Sequence, residues 1–182
     1  MKKIMGVLIL GCVLGALGAQ EFKNFENWKT FSDEADGGDS KIATESSFIK
    51  LNGKEVLTVR ATGKVTTKFQ YGYAGMTAEP DPKTAEVLKS GTGVSFWTKG
   101  DGKTYRVRVE TSNITDYDYY GFVFTAAKGK DIEIKVPYKS LKQEGWGGKK
   151  PFDPTKITKI SFQTVGQPLE SFELILSGLA AY

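Results

Sequence analysis

Along this chain apolar residues return at every second position in short runs, and clusters of turn residues separate the runs. Tyr105, Val107 and Val109 alternate with Arg106, Arg108 and Glu110. A period of two sends the apolar set into a core and leaves two guanidiniums and a carboxylate on the opposite face. Val94–Thr98 is a neighbouring strand, and the intervening Lys99-Gly-Asp-Gly-Lys103 contains Asp101-Gly102. That pair tolerates positive φ, so the two strands are expected to fold back on each other as a tight hairpin. Asn52-Gly53 carries the same signal between Ser47–Leu51 and Val56–Ala61. Val65–Tyr73 reads as a further strand with Phe69, Tyr71 and Tyr73 on one face. Gly121–Ala126, Asp131–Val136, Lys159–Val165 and Ser171–Leu176 complete the set. Residues 74–92 break the pattern: Pro80 and Pro82 precede Lys83–Lys89, a stretch long enough for two turns of helix. About ten short strands at regular spacing, with almost no helix, predict an all-β sandwich or barrel.

The first residues obey a different pattern. Lys2-Lys3 precedes the apolar run Ile4–Leu17, followed by small residues at Ala16, Gly18 and Ala19. This is the layout of a secretory signal peptide and is too short for a membrane helix. Cleavage is expected after Gly18 or after Ala19; with 1–19 as the signal peptide, residues 20–182 are expected to form a single β-sandwich binding domain, exported to the periplasm or secreted, with no transmembrane span. Cys12 follows Ile9-Leu10-Gly11, a loose lipoprotein box, but Val13-Leu14 carries the apolar run past it, which favours cleavage over lipid anchoring. Without this lone cysteine the mature chain has neither thiolate nor disulfide chemistry.

Composition narrows the chemistry further. Without Lys2 and Lys3, 23 basic residues face 21 acidic ones, and no basic run exceeds two residues, so nucleic acid is not an expected partner. The absence of histidine excludes a histidine triad and histidine metal ligands. Asp116, Asp118, Glu110 and Glu144 are of the types a glycosidase pair uses, but no spacing singles out a pair. The expectation is a domain without catalysis. Four carboxylates in 27–40, including Asp33, Asp36 and Asp39, are spaced closely enough for a structural calcium site, although not as in an EF-hand loop; a solvated turn is the alternative.

Aromatic residues are abundant, 22 in all. Phe96, Tyr105, Phe122, Phe124, Phe162 and Phe172 fall in core phase. Tyr71, Tyr73, Trp97, Tyr117, Tyr119 and Trp146 fall in loops or in outer phase, beside Asp, Arg, Gln and Asn. Flat rings among polar side chains suit a sugar, whose C–H face stacks on a ring while its hydroxyls bond the polar groups.

In order along the chain, NWKTFSDEADGGDS, YGYAG, GVSFWTKGDGKTYRVRVET, DYDYYGFVFTA, IEIKVPYKSL, GWGG and ITKISFQTV…FELILSGL resemble a known superfamily. It is the galactose-binding-like group that unites family-11 carbohydrate-binding modules with the complex I intermediate-associated protein 30 domain. The resemblance spans residues 22–179 and implies a jelly roll of two antiparallel sheets, one of them concave. In the carbohydrate-binding members the concave face takes β-glucan chains. Matched here, it implies a site near Phe31, Tyr71 and Tyr73, the 113–119 loop with Tyr117, Asp118 and Tyr119, the Trp146 loop and Gln163–Thr164, and Arg108 joins them by its outward phase. The expected ligand is a polysaccharide or glycan. The alternatives are a protein partner on the same face, as for an assembly factor, and a structural role in the envelope.

Overall fold

The computed structural model describes residues 20–21 and 28–182; the expected signal segment and Cys12 lie outside them. The strands, in chain order, are β1 (Gln20–Glu21), β2 (Lys29–Ser32), β3 (Lys41–Leu51), β4 (Lys54–Val65) and β5 (Ala74–Ala78). After helix α1 (Pro82–Ser90) come β6 (Gly93–Gly100), β7 (Thr104–Thr111), β8 (Tyr120–Thr125), β9 (Ile132–Pro137), β10 (Ile157–Thr164) and β11 (Leu169–Ala181). They form two antiparallel sheets, a jelly-roll sandwich. The first runs β3–β4–β11–β6–β9, with β1 paired to the end of β11. The second runs β2–β5–β10–β7–β8.

The expected hairpin at 99–103 does not exist as such. β6 lies in the first sheet between β11 and β9, whereas β7 lies in the second between β10 and β8. The segment Gly100–Lys103 is an arch from one sheet to the other. Gly102 takes φ +86°, and Asp101 accepts the Lys103 N–H (2.9 Å), the Tyr105 hydroxyl (3.1 Å) and the Glu173 N–H (3.0 Å). Both strands must bury an apolar face, and placing them in opposite sheets lets those faces pack on each other. Asn52-Gly53 does close a hairpin, with φ of 50° and 79° joining β3 to β4.

The expected strand at 65–73 is also corrected. β4 ends at Val65, residues 66–73 are a loop, and the next strand is Ala74–Ala78. Its sequence, AGMTA, has weak strand propensity, and pairing with β2 and β10 makes it a strand. Helix α1 forms where the break was read: Asp81 caps it by accepting the Thr84 N–H (2.9 Å), and Pro82 opens it.

The core lies between the sheets. Phe96 of β6 meets Phe124 of β8 and Phe162 of β10 edge-on, at 5.1 and 5.0 Å between ring centroids. Val94, Val107, Val109, Ile160 and Leu174 fill the space around them. Among the described residues no helix is long and apolar enough to cross a membrane.

Candidate binding face

Because Tyr105, Val107 and Val109 are buried in this core, Arg106, Arg108 and Glu110 face away from it on the outer surface of the five-stranded sheet. The register continues the surface across all five strands. One row reads Phe31, Gly75, Gln163, Arg106, Val123, and the next reads Lys29, Thr77, Ser161, Arg108, Gly121. Four inter-strand steps of ~4.8 Å make this floor about 19 Å wide. Two glycines leave room on it. A side chain at Gly75 would run into the Phe31 ring, and one at Gly121 would meet the stem of Arg106.

The polar groups of the floor are unequally committed. Arg106 pairs with Glu144 at 2.6 Å, and Glu110 accepts the Ser161 hydroxyl at 2.6 Å. Arg108 is half-buried, and among the described residues its guanidinium has no hydrogen bond or ion pair. Burial draws its pKa below the ordinary arginine value, while the charges of Glu110 and Glu144 act the other way. Gln163 presents a buried Oε1 that accepts no hydrogen bond. A free donor fork and a free acceptor on one floor are groups a ligand can satisfy.

Aromatic banks flank the floor at both edges. At the β2 edge Phe31 lies 6.2 Å from Tyr73, and the Tyr73 hydroxyl donates to Asp36 (2.7 Å). Burial, then the Asp36 bond, pushes the Tyr73 pKa up to about 12. At the β8 edge Tyr117 and Tyr119 meet at right angles, 6.3 Å apart. Tyr119 is half-buried and its pKa is raised, first by burial and then by Glu110. Trp146 stands 58% exposed in the adjoining loop, whose Glu144 holds Arg106. Tyr71 differs: it is exposed in the 66–73 loop and stacks edge-on with Phe69, with no described contact to the Phe31–Tyr73 pair. Trp97 belongs to the other sheet.

Asp118 is corrected from ligand contact to internal support. It is 1% exposed, and its carboxylate accepts the backbone N–H groups of Glu144, Gly145 and Gly147 at 2.8, 3.0 and 3.1 Å. The acidic segment is likewise engaged. Asp33 is fully buried and accepts the Ser40 N–H (2.9 Å) and hydroxyl (2.7 Å), Asp36 accepts Tyr73, and Asp39 accepts the Thr66 hydroxyl. The three carboxylates thus serve three different donors. Among the described residues no group of three or more histidine, cysteine, aspartate or glutamate side chains is placed to hold a metal ion.

Arg106 and Glu110 of the floor were not among the expected site residues, although they share the period-two phase of Arg108. Gly75 carried no signal at all, since its role depends on β2 lying beside β5.

A family model described as complex I intermediate-associated protein 30 (CIA30) matches residues 18–176. The chain belongs to this family. Similar sandwiches occur among solved carbohydrate-binding modules. The family 11 module of a cellulosomal cellulase from Clostridium thermocellum superposes with a TM-score of 0.61 at 17% identity, covering 91% of this chain and 95% of that one. The same family's structure with a β-1,3-1,4-mixed-linked tetrasaccharide gives 0.58 at 16%, covering 89% and 92%. A family 30 module gives 0.53 at 15%, covering 84% and 91%. At such identities the likeness establishes the fold. In sequence, the CIA30 domain is 29% identical over 154 residues to Endoglucanase 3 of Fibrobacter succinogenes, matching 76% of this chain. The chain spans only 22% of that enzyme's length.

Proposed function

We propose that this CIA30-family chain is an exported glycan-binding domain without catalytic activity, and that its ligand lies across the outer face of the five-stranded sheet. The observation that carries this reading is Arg108, a half-buried guanidinium with no partner among the described residues, set between the Phe31–Tyr73 and Tyr117–Tyr119–Trp146 banks. Rings at both ends stack on sugar faces, and Arg108 and Gln163 bond hydroxyls between them. The β-1,3-1,4-mixed-linked tetrasaccharide in the family 11 complex supports the choice of ligand class. Export is supported by the basic, apolar and small residues of 1–19. The test is affinity electrophoresis against soluble polysaccharides, mixed-linkage β-glucan included. Wild-type protein is retarded. Arg108→Ala loses about 2 kcal/mol, some thirtyfold in Kd, the range of a hydrogen bond to a charged group. A wild-type protein that no polysaccharide retards would refute the reading.

A second reading follows from family membership: the same face receives a polypeptide, as in an assembly factor. It predicts that Arg108→Ala abolishes capture of a protein partner while polysaccharides never compete.

A further inference from the structure

The loop that carries Trp146 is tied down by its backbone while its indole is left free. Asp118 receives three N–H groups of the loop, from Glu144, Gly145 and Gly147. Asp116 receives the fourth, from Gly148 at 2.6 Å, and also accepts the Asp118 N–H at 3.3 Å. The Gln143 side chain closes the far side, donating to the carbonyls of Asp118 (2.9 Å) and Gly148 (3.3 Å) and accepting the Lys150 N–H (3.1 Å). Glycine is required here on two counts. Gly145 takes φ +91°, and a Cβ on Gly147 would sit 2.6 Å from Asp118 Cβ and 2.7 Å from Asp116 Oδ2. On the clamp's own side, Tyr117 adopts φ +67°, a conformation that side-chain-bearing residues rarely take, between the two aspartates.

A buried carboxylate that satisfied only its own hydrogen bonds could sit anywhere in the fold. This one holds the segment from which Trp146 projects into solvent and from which Glu144 reaches Arg106. We propose that Asp118 is a positioning residue: it fixes the 144–148 backbone in one conformation, so that Trp146 forms a preset wall of the binding face. A preset wall spares the ligand the cost of ordering a loop on binding. The effect on affinity rests on the glycan-binding reading above; the clamp itself does not.

The experiment therefore has two arms. In the first, amide hydrogen exchange is followed by NMR at Glu144, Gly145 and Gly147, without ligand. These amides are protected in the wild type, and Asp118→Asn, which offers one acceptor oxygen in place of two, exposes them. Gly147→Ala, which leaves the carboxylate intact and pushes the loop off it, exposes Glu144 and Gly145 as well, and serves if the first variant does not fold. Unprotected amides in the wild type, or protection that both variants retain, would overturn the clamp. In the second arm, Kd is measured for the β-1,3-1,4-mixed-linked tetrasaccharide in a double-mutant cycle. Asp118→Asn weakens binding about tenfold, 1.4 kcal/mol, and adds nothing in a Trp146→Ala background. An equal loss in both backgrounds would mean that Asp118 does not act through Trp146, and would overturn the positioning role. A wild type that fails to bind the sugar while its loop amides are protected and released as expected contradicts only the glycan reading and leaves the clamp supported.

Discussion

Removing the Asp33 carboxylate tests whether the acidic segment is an internal brace for the Phe31–Tyr73 bank. Asp33 lies directly after β2, on the far side of Ser32 from Phe31, and its own N–H donates to the Tyr73 carbonyl at 3.2 Å. Its carboxylate, with no solvent exposure, accepts two good bonds from Ser40, at 2.9 and 2.7 Å, and a long one from the Tyr73 N–H at 3.4 Å. Asp33→Ala leaves the Ser40 N–H, itself buried, without an acceptor, together with a hydroxyl that must find a new one. A buried donor left unmade costs roughly 1–3 kcal/mol, so the loss should be about 3 kcal/mol in all. Asp33→Asn keeps one acceptor and should lose about half of that. For a chain of this size 3 kcal/mol corresponds to a fall in Tm of about 6–12 °C. Urea unfolding monitored by tryptophan fluorescence measures the stability directly. The midpoint should fall with an unchanged m-value. A loss below about 0.5 kcal/mol for Asp33→Ala would refute the reasoning, because surface substitutions away from such features cost no more than that.

Three further outcomes are expected. Calcium addition should leave Tm unchanged, because Asp33, Asp36 and Asp39 serve separate protein donors; a rise with calcium that a chelator reverses would instead establish a metal role for the segment. Stability should fall in acid, because the Gly148 and Asp118 N–H groups hold the Asp116 carboxyl below its ordinary range and the Thr66 hydroxyl does the same for Asp39. Depressed folded-state values mean this contribution is complete above about pH 4 and is lost as pH drops through them, which a Tm series from pH 6 to pH 2 reads. In alkali the sign reverses: Tyr73 titrates near 12 in the folded chain against about 10 unfolded, so its contribution is complete below pH 10 and fades as pH rises toward 12. Tyr105 and Tyr138 are also pushed up, mainly by burial, and steepen that loss.

What the sequence determined by itself is what neighbouring residues enforce on one another. The alternation through β7 is such a case, since Cβ direction alone turns Arg106, Arg108 and Glu110 to one side and Tyr105, Val107 and Val109 to the other. The Asn52-Gly53 turn is another, because the positive φ it needs is a property of those two residues. The helix over Pro82–Ser90 follows from its cap and its proline. Where a strand finds its partners is a different question. β6 and β7 are separated by an arch of a few residues, yet each pairs with strands far along the chain, β11 and β10. A turn signal cannot tell a hairpin from a crossover, because the choice is made by burial of both apolar faces at once. The same limit applied to the aspartates. Asp33 and Asp118 read from sequence as exposed carboxylates free for calcium or sugar. Only the fold brings Ser40 against the first and the 144–148 backbone against the second, and a carboxylate sealed from water takes whatever donors the tertiary structure delivers to it.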